Sequence, residues 1–170
     1  MDNKRIYQYL DQMLNKPICA IGRASNMLWI GIGEDIKILD RKGNAVVKSP
    51  ISLHVQSTWR IISKKKEILL ASSDFYSPNS SIGWSKNFEW DVQGKNLFDE
   101  KSKIWLKKVM PIYIKQYILN SLGDLELILS NEEHIEIYVN SSDDTESWRL
   151  LKSHRNEEHL VVTGMGIDFE

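Results

Sequence analysis

Four apolar residues near the start of the chain, Ile6, Leu10, Met13 and Leu14, stand at i, i+4, i+7 and i+8. That spacing predicts a helix buried along one stripe. Asp2 or Asn3 caps it in this reading, and Pro17 stops it. The period then falls to two. Ile18–Ala24, residues 27–33 and Ile36–Leu39 read as short strands, Arg41-Lys42-Gly43-Asn44 as a turn, and Ala45–Lys48 as a brief strand ended by Pro50. Alternation is clearest over residues 53–63, read as one strand. Leu53, Val55, Ser57, Trp59 and Ile61 take one face; His54, Gln56, Thr58, Arg60 and Ile62 take the other. Lys64-Lys65-Lys66 then turns the chain into a hairpin with residues 67–72.

No period is visible from 73 to 95. Phe75, Tyr76, Trp84, Phe88 and Trp90 are nevertheless too many rings for a solvated linker, which predicts an ordered loop of the kind that often carries function. Asn96 as cap, Asp99 and Glu100 in the first turn, Lys107 and Lys108 in the last, and Pro111 beyond mark a second helix, with Phe98, Trp105 and Val109 on its buried side. The last third reads as an antiparallel meander. Residues 112–122 and 125–130 flank a two-residue Gly123-Asp124 turn, and 134–139 follow with Ile135, Ile137 and Val139 inward. An acidic loop at 141–145 leads to a strand from Glu146, and Leu160–Thr163 closes the series before Gly164 and Gly166. The phrase Ser57-Thr58-Trp59-Arg60-Ile61-Ile62 returns as Glu146-Ser147-Trp148-Arg149-Leu150-Leu151. Each copy predicts a core Trp beside an outward Arg, but the surroundings do not align, so this is not an internal repeat. The class expected is α+β: one domain over 1–170, a mainly antiparallel sheet of hairpins and meander with an N-terminal and a mid-chain helix.

Composition narrows the setting. At 42% hydrophobic and 26% charged residues the chain matches soluble globular proteins, and its length allows a core without metal or disulfide support. Cys19 is the only cysteine, so no intrachain disulfide forms; with no 18-residue apolar run, neither a secretory signal nor a membrane span is expected. The cytoplasm is the expected compartment. The net charge of −1 conceals a division: residues 1–120 carry 19 Lys/Arg and 11 Asp/Glu, residues 121–170 carry 3 and 12. The plain consequence is acidic strands packed beside the basic part. The sharper one is an acidic surface of Asp143, Asp144, Glu146, Glu157 and Glu158 that attracts a basic partner.

No catalytic or cofactor motif is complete. From Glu89, oxygen-bearing residues at positions 1, 3, 5 and 12 with Gly94 at position 6 follow EF-hand spacing, yet Glu at position 1, Gln93 at position 5 and Asn96 at position 8 depart from it. A turn leading to the Asn96 cap explains the same residues better, so no metal is expected. His154 and His159 stand five apart and miss the spacing of zinc-protease helices. Cys19 lies in a short apolar run and reads as a small core residue. Gly31-Ile32-Gly33 and Gly164-Met165-Gly166 each lack the third glycine of a nucleotide fingerprint, and no cofactor is expected. The acidic final third argues against nucleic acid. The stripe His54, Gln56, Thr58 and Arg60 remains, a row of hydrogen-bonding groups able to line a groove for a carboxylate, phosphate or peptide, with Arg60 as anchor.

Gly22-Arg23-Ala24-Ser25-Asn26-Met27-Leu28-Trp29, Leu53-His54-Val55-Gln56 with Trp59-Arg60-Ile61, Glu146-Ser147-Trp148-Arg149-Leu150 and His159-Leu160-Val161-Val162 together resemble small bacterial proteins of the domain-of-unknown-function kind, some of which look like immunity partners of toxins. The resemblance covers most of the chain and brings no catalytic residues with it. The function expected is a non-enzymatic protein-binding domain, immunity-type, meeting a basic partner through the acidic surface, with Trp84 and Trp90 of the aromatic loop as further contacts. The alternative is a small-molecule-binding domain or enzyme with His54, Gln56 and Arg60 in a groove. A homodimer is compatible with either.

Overall fold

A computed structural model describes residues 3–39, 42–85, 88–153 and 158–170. The first helix, α1 (Asn3–Leu10), continues as a 3-10 turn over Asp11–Met13, and Ile6, Leu10 and Met13 are its buried side. Six strands make sheet one: β1 (Ile18–Ala24), β2 (Met27–Ile32), β5 (Ile51–Val55), β11 (Glu146–Lys152), β12 (Leu160–Thr163) and β13 (Gly166–Phe169), antiparallel and adjacent in that order. Five make sheet two, in the order β7 (Ile68–Ala71), β6 (Thr58–Ile62), β10 (His134–Tyr138), β9 (Leu125–Leu129), β8 (Ile114–Leu119). The strands β3 (Ile36–Leu39) and β4 (Ala45–Lys48) form a separate ribbon. This is the expected α+β class.

The inward faces of both sheets feed one hydrophobic cluster that contains Trp59 and Trp148, at 1% and 0% exposure. Both tryptophans of the doubled phrase are therefore core residues. The helices close the flanks. Along α1, Tyr7 stacks on Tyr117 of β8 and Tyr9 meets Phe169 of β13 edge-on, so the helix spans an edge of each sheet. The second helix, α2 (Leu97–Val109), lies against β1 and β7, the opposite edges. Asn96 caps α2 by accepting from the Asp99 amide at 2.9 Å, and Phe98 and Trp105 are buried beneath it.

Three expectations are corrected. Residues 53–63 are not one strand: the chain leaves sheet one after Val55 and enters sheet two at Thr58. The amides of Gln56 and Ser57 both donate to the Ser147 carbonyl at this corner, at 2.8 and 3.1 Å. The meander likewise stops at β10, because β11 crosses into sheet one between β5 and β12. A further strand, β13, follows the glycines that were to end the series.

Candidate protein interface

Three connections meet at one end of the molecule. The first, 120–124, is longer than the two residues expected. Asn120 Oδ1 accepts from the amides of Leu122 and Asp124, and Asp124 Oδ1 accepts from Val139 at 2.7 Å, tying this turn to the start of the β10–β11 loop. Gly123, at φ 92°, lets the turn press onto Val162 and Val139, while the Trp148 indole N–H donates to its carbonyl at 2.8 Å. The third connection, Gly164-Met165, packs on the second: a Cβ at Gly164 would stand 2.1 Å from the Ser141 carbonyl oxygen. Side chains that find no room in this junction project outward. Leu122 is 73% exposed and Met165 75%. Asp143 and Asp144 are exposed beside them, and hydrogen bonding by Thr145 holds the Asp143 carboxyl below its usual range. A groove of about 460 Å³ opens alongside, lined by Ile6 and Tyr7 of α1, Leu119 and Ser121, and Gly166 and Ile167.

Most other C-terminal carboxylates are engaged within the fold. Glu136 holds Arg60, Glu132 holds Lys64, and Glu158 holds Arg5. Glu133 accepts from the Trp105 indole at 2.8 Å. Glu146 binds Arg149 bidentately. Burial pushes the Glu146 carboxyl up, but hydrogen bonds from Arg149 and Gln56 outweigh it and leave the group below its usual range. The acidic third thus packs against the basic part. Of the five acids expected to form one surface, Asp143 and Asp144 are exposed, while Glu146 and Glu158 are tied into ion pairs. Glu157 lies outside the described residues, as does His154.

The polar stripe is divided by the change of sheet. His54 sits on the outer face of sheet one, opposite Trp29 and Arg149; Arg60 sits in sheet two, opposite Glu136 and Ala71. Gln56 lies exposed at the corner between them. The expected groove joining His54, Gln56 and Arg60 is therefore not formed. Arg60 is no vacant anchor either, since it also donates to the Tyr138 hydroxyl at 2.9 Å. Burial lowers the His54 pKa below its ordinary value; Glu146 opposes this, while Arg149 and His159 reinforce it.

The aromatic loop is both plug and surface. Phe75 is buried with Phe98 against Trp59, whereas Trp90 is half-buried on Tyr76 at 5.0 Å between ring centres. Trp84 is 78% exposed and meets only Phe88 edge-on among the described rings. The loop's order comes from Arg23 of β1, a residue no sequence signal singled out. Its guanidinium makes two 2.9 Å bonds to Asp99 and reaches the carbonyl of Asp91. Asp99 accepts from the Gly94 amide and the Gln93 side chain as well, and Glu100 is held by Ser80. Of the carboxylates with calcium-like spacing, Asp91 faces this arginine and Glu100 is held by Ser80, and the stretch forms a turn that leads to the Asn96 cap. Among the described residues no three His, Cys, Asp or Glu side chains gather to hold a metal ion.

Cys19 corrects another expectation. The register slips between Ile18 and Ala20, and this bulge turns the thiol out of the core to 3.0 Å from the Ser49 hydroxyl. Burial raises its pKa, against a lowering by Ser49, so the group rests as a thiol.

Leu122 and Met165 were not anticipated as surface features. The strand pattern over 112–122 places Leu122 at a strand end. Met165 carried a signal in hindsight, a large apolar residue between two glycines. No helix of the described residues is long and apolar enough to cross a membrane. Comparison of the chain with protein-family models, curated proteins and solved structures finds no match.

Proposed function

We propose that this chain is a non-catalytic, cytoplasmic bacterial protein-binding module, of the kind that neutralises a toxin, and that it meets a basic partner surface with the end formed by the 120–124, 141–145 and 164–165 connections. One observation carries this reading. Once intramolecular pairing is accounted for, exposed acidic charge at this end is concentrated on Asp143 and Asp144, beside two apolar side chains that are almost wholly exposed. Apolar anchors within an acidic rim are the anatomy of a heteromeric interface, in which the charges speed and orient encounter while the apolar groups slow release. The neighbouring groove gives a partner side chain somewhere to enter.

The test is affinity capture from the native cell with the wild-type chain and two variants, Asp143→Lys/Asp144→Lys and Leu122→Ser/Met165→Ser. A basic protein is expected with the wild type and not with either variant. With that protein purified, the charge variant lowers the association rate and flattens its salt dependence, while the apolar variant raises the dissociation rate. The toxin-neutralising version further requires that the captured protein be growth-inhibitory alone and silent when this chain is co-expressed. Equal capture by wild type and both variants sinks the proposal.

A further inference from the structure

The outer face of sheet one carries a second concavity, at the far end of β11 from the acidic loop. Its floor is a cross-strand row, Ala20, Gly31, Ser52 and Leu151, in register over four strands. Trp29 and His54, paired in the next row, make one wall. The opposite wall is the β3–β4 ribbon with its exit, carrying Asp35, Val47, Lys48 and Ser49. Two glycines draw that wall onto the sheet. The Ser49 hydroxyl stands 2.2 Å from where a Cβ on Gly31 would be, and Pro50 comes within 2.5 Å of the same point on Gly33. Ser153 fastens the exit from below by donating to the Ser49 carbonyl. The cleft, half open to solvent, measures about 540 Å³. That is within the range of small-molecule sites.

Three of its polar groups have no partner among the described residues. Among the described residues no hydrogen bond is made by the His54 imidazole, the Ser52 hydroxyl or the Trp29 indole N–H, although all three residues are half-buried. Half-buried donors and acceptors without partners are satisfied by solvent or by a ligand. Burial holds the imidazole neutral at pH 7, so it offers one donor and one acceptor and no charge. Charge comes from the rim, where the charged groups among the described residues are Lys48, Lys152 and Asp35; Lys152 also lies over the Tyr9 ring, at 5.0 Å. The apolar surface is flat on one side, where the Trp29 indole lies over Gly22, and is completed by Leu151 and Val47.

We propose that this cleft binds a small planar aromatic carboxylate, with its ring between Trp29 and Leu151 and its carboxylate taken by Lys48, the Ser52 hydroxyl and the His54 N–H. The site is separate from the partner-binding end, and its test does not depend on it. 2-Naphthoate is titrated into the full chain by calorimetry and followed in parallel by the indole N–H signals in NMR spectra. One saturable site is expected, with one tryptophan signal shifting. Lys48→Gln weakens binding by at least about tenfold, the scale of one charge-assisted hydrogen bond. Ser52→Leu fills the floor and abolishes binding, and uncharged 2-naphthalenemethanol binds more weakly than the acid. Near-ultraviolet circular dichroism checks the fold of Ser52→Leu; Lys48 is exposed at the rim, so its variant keeps the test decisive if the other misfolds. Absence of saturable binding, wild-type affinity in Lys48→Gln, or equal affinity for the uncharged alcohol overturns the proposal.

Discussion

Arg23 and Asp99 are the residues on which most depends. Each side chain is 1% exposed, and the pair joins β1, α2 and the aromatic loop through two parallel hydrogen bonds. Removing one partner leaves the other charge buried without compensation, which costs about 3–5 kcal/mol. Arg23→Met is therefore expected to lower unfolding free energy by that amount in urea titrations and to expose the 79–93 loop to proteases. A loss below about 1 kcal/mol would show that the pair is replaceable. His54 gives a prediction in pH. Its pKa in the fold lies below the unfolded value, 6.5, so the folded state favours the neutral ring. That contribution is complete above 6.5 and is lost as pH falls through the folded value, because the unfolded chain takes up the proton first. Between pH 7.5 and 5.5 the wild type should lose more stability than His54→Gln, measured by urea unfolding at both pH values. Parallel losses would mean that other groups govern that window.

At the level of elements, the three-way junction beneath Leu122, Asp143 and Met165 depends on close backbone approach. Gly164 is its tightest point, facing the Ser141 carbonyl rather than a side chain free to swing aside. Gly164→Ala should destabilise by about 1–3 kcal/mol, the cost of forcing an extra carbon into a packed site. It should also weaken partner binding beyond any effect on folding, because it spreads the two loops that carry the proposed contacts. An unchanged melting temperature would show that the loops slide freely. Element boundaries were largely legible in the sequence for local reasons. Strand patterns at Ile18–Ala24, Ile36–Leu39 and Ala45–Lys48 and the Asn96 cap signal depend on neighbours within a few residues. The strand Gly166–Phe169 carries no such local signal, because its support is pairing with β12 across a glycine-bounded turn and the packing of Tyr9 on Phe169, contacts distant along the chain.

For the whole molecule, the charge division was visible in the sequence, but how much of it stays unpaired was not. Which acids meet Arg5, Arg60 and Lys64 depends on strand order, and strand order is set by contacts distant along the chain. Asp143 and Asp144 could be named from charge alone. Leu122 could not, since an apolar residue gives no sign that its place in the core has already been filled, and Met165 had only its flanking glycines to mark it. The change of sheet after Val55 was hidden for a different reason. Alternation runs unbroken from Leu53 through Ser57 to Ile61, with all five odd-numbered residues buried, so the bend leaves the inside–outside count unaltered.

That unbroken count limits how this chain can change in length. The 141–145 loop and the tip around Trp84 are exposed, and an added residue there shifts only its neighbours. The Gln56-Ser57 corner allows no such freedom, because both amides are committed to one carbonyl and rigid strands begin on either side. A single insertion there would reverse the parity of everything that follows in β6, turning Trp59 to solvent and driving Arg60 and its charge into the core. Two insertions would restore parity but slide β6 against β10, breaking the match of Arg60 with Glu136. Among descendants of this sequence, gains and losses of residues should gather in the loops at the ends of the sheets, while the two-residue step between the sheets keeps its length.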